Sequence, residues 1–133
     1  PARLEAAKAA LKGSSFASSL RWRTTAEVDR SIAEVALERV HSPELIASIK
    51  QLSARGGGID SDTYVAPGSW DVCLDAAGAW LEATSLAADG CGPALALARP
   101  PGHHATRAAA MGFCLANFAG THTHLLAHLA RVL

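Results

Sequence analysis

Apolar residues recur at helical spacing along most of this chain and form an unbroken run only once outside the helices. Leu4 to Leu11 carries the first helical pattern, and Gly13 can end it. The polar stretch Ser14 to Ser19 follows. Thr24 and Glu27 have capping-box spacing, predicting a second helix with Val28, Ile32, Val35 and Ala36 on one face. Ser42-Pro43-Glu44 supplies an N-cap, a first-turn proline and a first-turn acid, and Leu45, Ile46, Ile49 and Leu52 follow at helical spacing. Arg55-Gly56-Gly57-Gly58 breaks that helix, and Ile59 to Gly68 reads as a loop. Ser69 is then the expected cap of the longest helix, with Trp70, Cys73, Leu74, Ala77, Leu81, Thr84 and Ala88 along one stripe. Asp89-Gly90 and Gly92-Pro93 close it. Ala94 to Ala98 is short, continuously apolar and bounded by breakers, which predicts a buried parallel strand. Leu115 to Ala130 predicts a further helix, and Arg131 to Leu133 the start of another strand. This order of elements predicts an α/β chain with parallel strands.

Composition narrows the function classes. At 133 residues the chain makes one domain at most. Lys+Arg and Asp+Glu are both 12, so the net charge is zero and no basic stripe for nucleic acid is expected. No apolar stretch reaches the length of a membrane span, and the amphipathic start Pro1-Ala2-Arg3-Leu4-Glu5 is unlike a signal peptide. Cys73, Cys91 and Cys114 are odd in number and form no CxxC pair, so a reducing, cytoplasmic setting is expected.

The chemistry concentrates in residues 99–114. Arg99-Pro100-Pro101-Gly102 is a stiff turn after the predicted strand, and it presents His103 and His104. Imidazoles exchange protons in the neutral range, so a proline-fixed pair suits proton transfer. The plain alternative is an exposed loop that merely ends the strand. Gly112-Phe113-Cys114, taken alone, is a turn leading into a packed helix. Asp60 and Asp62, taken alone, are loop carboxylates of the kind that make local turn bonds. His122, His124 and His128 cluster, and His124 and His128 are four apart and could share a helix face, but no carboxylate or third ligand stands at a recognisable spacing, and a solvated helix face is the preferred reading.

The order Arg99-Pro100-Pro101-Gly102-His103-His104-Ala105, then Gly112-Phe113-Cys114, resembles the zinc-dependent histone deacetylase family, which includes bacterial acetylpolyamine amidohydrolases. Asp62-Thr63-Tyr64 and Pro67-Gly68-Ser69 ahead of a long helix resemble its bacterial members. Arg39-Val40-His41-Ser42-Pro43-Glu44 matches another family stretch, in which the histidine is structural. Two departures stand out: Leu115-Ala116-Asn117 where the family usually runs Phe-Asn-Asn, and Thr106 where many relatives carry an acid.

The resemblance implies an arginase-deacetylase fold, a three-layer α/β arrangement with a parallel sheet between helices. Residues 1–133 would be the N-terminal portion of a single deacetylase-like domain whose C-terminal part is missing. It implies hydrolysis of acetyl amides, of acetyl-lysine or acetylpolyamine type, with Zn2+ as cofactor in the full-length parent. By the same resemblance His104 is the general base and acid and His103 its electrostatic support. Phe113 is a wall of the substrate tunnel, and Gly112 allows close backbone approach. Asp62, with Asp60 as second choice, is the substrate-binding carboxylate at the tunnel mouth. Cys114 is a buried thiol beside the tunnel. The family's metal ligands follow an Asp-x-His pattern on the strand after the last helix, so no ligand is assigned within this chain, which alone is expected to be inactive. The alternative reading is a truncated, noncatalytic interaction module. A stand-alone histidine-rich metal-binding domain is the third.

Overall fold

The computed structural model describes residues 2–24 and 29–123. Helix α1 runs Ala2–Lys12 and buries none of its residues. The Gly13 N–H bonds the Ala9 carbonyl at 3.0 Å and ends it. A 3-10 turn, Ala17–Ser19, follows. Then come α2 (Arg30–Val40), α3 (Pro43–Arg55), β1 (Gly57–Gly58), β2 (Tyr64–Val65) and α4 (Ser69–Ala88), and residues 118–123 are helical.

The core lies where α2 and α3 pack on α4. Ala33 and Leu37 of α2, Leu45, Ile46 and Ile49 of α3, and Trp70, Cys73, Leu74, Ala77 and Leu81 of α4 are buried together. Apolar burial at this junction is the main force that assembles the three helices. A forked ion pair, Arg30 Nε to Asp75 Oδ1 at 2.7 Å and Nη2 to Oδ2 at 2.9 Å, ties α2 to α4 at the surface.

Helix α3 starts as its sequence dictates. The Ser42 side chain accepts the Leu45 N–H, with Pro43 in the first turn. Two other starts differ from expectation. Helix α2 is capped by Asp29, whose carboxylate accepts the Ser31 N–H. Glu27, the other half of the expected capping signal, and Val28, the first residue of the expected apolar face, lie outside the described residues. The buried face of α2 is also rotated. Ile32 and Val35 are exposed, whereas Ala33 and Leu37, neither of them branched at Cβ, are fully buried against the core. For α4 the cap position is Gly68, at φ 82, rather than Ser69. Glycine has no side chain to cap with, so α3 supplies one: the buried Ser53 hydroxyl accepts the Trp70 N–H at 2.8 Å.

The parallel sheet expected between helices does not form among the described residues. The ladder there is antiparallel and two residues long, pairing Gly57 with Val65 and Gly58 with Tyr64. Ala94 to Ala98 adopts no strand, and Leu95 is 71% exposed. A strand is defined by a neighbour that takes up its N–H and C=O groups, and no described segment pairs its backbone with this one. The strand expected at 131–133 lies outside the described residues. The last helix begins later than expected. Leu115 and Ala116 are buried but not helical, and the Asn117 side chain accepts the Gly120 N–H at 2.8 Å as the N-cap.

Candidate active site

The segment carrying the histidine pair makes few bonds within itself and is held from three directions. Cys114 is fully buried, and its Sγ accepts the backbone N–H groups of both His103 and His104, each at 3.4 Å. Asn117 donates from its side chain to the Ala105 carbonyl at 2.8 Å, and the Ala119 N–H reaches the Gly102 carbonyl at 3.1 Å. The Ser42 N–H bonds the Arg107 carbonyl at 2.8 Å. The backbone of the pair is therefore fixed while both imidazoles remain exposed. Their ring centroids are 4.2 Å apart at an interplanar angle of 52°.

His41 supports this arrangement from beneath. It is 1% exposed, and its Nε2 accepts the Asn117 backbone N–H at 2.8 Å. An accepting Nε2 makes this ring neutral, with its proton on Nδ1. Burial lowers its pKa from the ordinary histidine value, and the Thr106 and Arg107 backbone only partly opposes that. Nδ1 itself finds no partner of hydrogen-bonding geometry. This histidine is structural, in keeping with the resemblance.

Met111 to Cys114 forms a tight two-residue turn. The Met111 N–H bonds the Cys114 carbonyl at 3.1 Å, and the Cys114 N–H returns to the Met111 carbonyl at 2.9 Å. Gly112 and Phe113 both have positive φ, 58° and 64°. That is the type I′ pattern, which favours Gly, Asn and Asp. A phenylalanine there carries strain of about 1–2 kcal/mol. The turn leaves Phe113 56% exposed. It borders an open groove of about 230 Å³ lined also by Tyr64, Pro67, Val72, Pro100 and Leu115. Gly112 lies against the His104 ring, so the expected close approach at this position is made first to the histidine.

The two candidate carboxylates differ. Asp60 Oδ1 accepts the Asp62 and Thr63 N–H groups at 3.1 and 2.6 Å, a local turn. The Thr63 side chain and these N–H groups hold its carboxyl below the usual range. Asp62 is exposed, and its Oδ1 accepts the Thr63 hydroxyl at 3.0 Å. Thr63 in turn accepts the Phe113 N–H at 3.1 Å. The structure thus brings His104 to Gly112, and Asp62 to Phe113 through Thr63. The histidines and Asp62 do not line the groove beside Phe113.

Thr63 and Asn117 are the residues that sequence reasoning passed over. Asn117 had a signal: an asparagine ahead of a helical run is an N-cap candidate. Thr63 had none, since its partner lies 50 residues away. Among the described residues no group of three His, Cys, Asp or Glu could hold a metal ion. His122 is half-buried and its Nδ1 pairs with the Thr84 hydroxyl, so it is not on a solvated face; His124 and His128 lie outside the described residues.

The chain is 41% identical over 118 residues to the uncharacterized protein slr0245 of Synechocystis, spanning 88% of this chain and 38% of that one. It is 38% identical over 97 residues to the human polyamine deacetylase HDAC10, covering 66% of this chain and 14% of the relative. Among solved structures, the HDA15 HD domain matches with a TM-score of 0.75 and 30% identity, over 96% of this chain and 35% of that chain. The chain therefore spans well under half the length of these relatives. The family profile described as the histone deacetylase domain matches residues 1–133. By that match, and by the turn, histidine pair and glycine-phenylalanine hairpin just described, the chain belongs to the histone deacetylase family.

Proposed function

We propose that the protein carrying this chain is a zinc-dependent amidohydrolase that cleaves acetyl amides of the acetyl-lysine or acetylpolyamine type to acetate and a free amine. One juxtaposition carries the reading: a histidine pair with its backbone pinned on the Cys114 sulfur, and His104 packed on the glycine that precedes an exposed phenylalanine. Deacetylase and amidohydrolase relatives support the reaction class. The described residues do not make up a metal centre by themselves, so what they contribute is proton handling and substrate enclosure.

His104 takes the proton of the attacking water and returns it to the leaving amine. His103 stabilises the charge that develops between those events. The Phe113 face shields the substrate methylenes from water, and Asp62 accepts hydrogen bonds from the substrate backbone or amine at the mouth. Free Cys73, Cys91 and Cys114 suit a reducing, cytoplasmic setting. Of the partners, the acetylated amine is the one this reading requires; neutral net charge supports neither nucleic acid nor an anionic membrane.

The test is hydrolysis by the purified full-length protein, freed of host deacetylases, of an acetyl-lysine peptide and an N-acetylated polyamine. Turnover that is lost on chelation and restored by zinc is expected. Turnover insensitive to chelation, or none on either substrate, overturns the reading.

A further inference from the structure

The turn that presents Phe113 asks for glycine-like backbone at two consecutive positions and has it at only one. Gly112 meets the demand at φ 58; Phe113 is held at φ 64 against its own preference. In a two-residue hairpin the flanking residues exchange the ladder bonds, here Met111 with Cys114. The N–H of the second turn residue is not used by the ladder. In this protein that N–H, on Phe113, donates to the Thr63 hydroxyl at 3.1 Å.

Thr63 is suited to the task. It is 2% exposed, so the bond is shielded from water, and it is anchored through both its backbone N–H and its hydroxyl. Its own N–H is taken by Asp60 and its hydroxyl hydrogen by Asp62. With the hydrogen turned toward the carboxylates of this loop, Asp62 at 3.0 Å among them, the oxygen is left to Phe113 as an acceptor. The arrangement is a chain of three groups: the exposed Asp62 carboxylate, the buried Thr63 hydroxyl and the Phe113 backbone.

We propose that Thr63 is a positioning residue that fixes the Phe113 wall and couples it to the Asp62 carboxylate through one hydroxyl. Asp62 and Phe113 belong to segments far apart in the chain, and Thr63 makes them a single unit. Occupancy of Asp62 by a substrate donor then acts on the hydroxyl that holds the wall. The kinetic part of this proposal rests on the amidohydrolase reading; the backbone constraint does not.

The test compares full-length wild type, Thr63→Val and Thr63→Ser by amide hydrogen exchange at Phe113 and by steady-state kinetics on an acetylated amine. Valine keeps the shape and removes the hydroxyl; serine keeps the hydroxyl. Expected is a Phe113 amide protected in the wild type despite its exposed side chain. T63V should speed its exchange at least tenfold and T63S should restore it. KM is expected to rise severalfold in T63V with a smaller change in kcat, again recovered in T63S. An unprotected Phe113 amide in the wild type overturns the proposal without any variant, which covers a T63V protein that does not fold. So does a T63S protein that behaves as T63V does, because packing alone would then explain the site. Exchange that responds as expected, in a protein that hydrolyses no acetyl amide, leaves Thr63 in its role and removes the amidohydrolase reading instead.

Discussion

Gly112 lies so close to the His104 ring that a Cβ at position 112 would stand 2.9 Å from the imidazole Cδ2. No carbon pair tolerates that distance, so the ring would have to move. The positive φ of 58° adds backbone strain to the steric demand. Gly112→Ala is therefore expected to fold with His104 displaced. A shift of about 1 Å in a reacting group can cost on the order of a hundredfold in rate. Turnover of an acetylated amine by the full-length variant checks this, and wild-type kcat in G112A would show that the contact is not critical.

His104→Ala in the full-length protein is expected to lower kcat by roughly a hundredfold or more, the usual scale for loss of a general acid-base group. On the amidohydrolase reading His104 moves protons and does not ligate the metal, so zinc content should stay at the wild-type level. Metal analysis alongside kinetics separates the two effects, and near-normal turnover would remove His104 from its role.

Phe113→Ala and Phe113→Gly both delete the aromatic wall, and both are expected to raise KM. Their stabilities should differ. Alanine keeps the positive-φ strain, and glycine relieves it at some cost in unfolded-chain entropy. F113G is expected to be more stable than F113A by about 0.5–1 kcal/mol. Denaturant unfolding midpoints decide it, and the reverse order would mean that the turn carries no such strain.

His41 makes stability depend on pH. In the unfolded chain its imidazole titrates near the ordinary 6.5; in the fold burial lowers that value. Between the two, the unfolded state binds more protons, so stability is full above the ordinary value and falls as pH drops through the window. Protonation also removes the Nε2 acceptor for the Asn117 N–H. Urea unfolding of wild type and His41→Asn, followed from about pH 7.5 to about pH 5, is expected to show a slope in the wild type that flattens in the variant. Equal slopes would assign the pH dependence to other groups.

Where local chemistry decides structure, it could be read from the residues. Ser42-Pro43-Glu44 marks the start of α3, and the expected stripe is the buried face of α4 from Trp70 to Thr84, while its last member, Ala88, is exposed at the helix end. Gly112-Phe113-Cys114 was legible as a turn. Its left-handed phenylalanine was not, since no local signal asks a phenylalanine to take positive φ. The face of α2 was misjudged because Ile32 and Val35 are more apolar than Ala33, yet close helix packing selects the small residue. The cap of α4 comes from Ser53, in another helix, and the Phe113 anchor comes from Thr63. Contacts of that kind depend on the finished fold. Periodicity and capping rules operate over a few residues and do not reach them.

Two of the bonds that shape the site span long stretches of chain: 50 residues from Thr63 to Phe113 and 76 from His41 to Asn117. Closing such loops is entropically unfavourable until the helices between them have already packed. The α2–α3–α4 junction is therefore expected to condense first, and the turn bearing Phe113 and the histidine pair to set last. Substitutions at Thr63 or Asn117 would then leave the folding rate nearly unchanged and appear as faster unfolding.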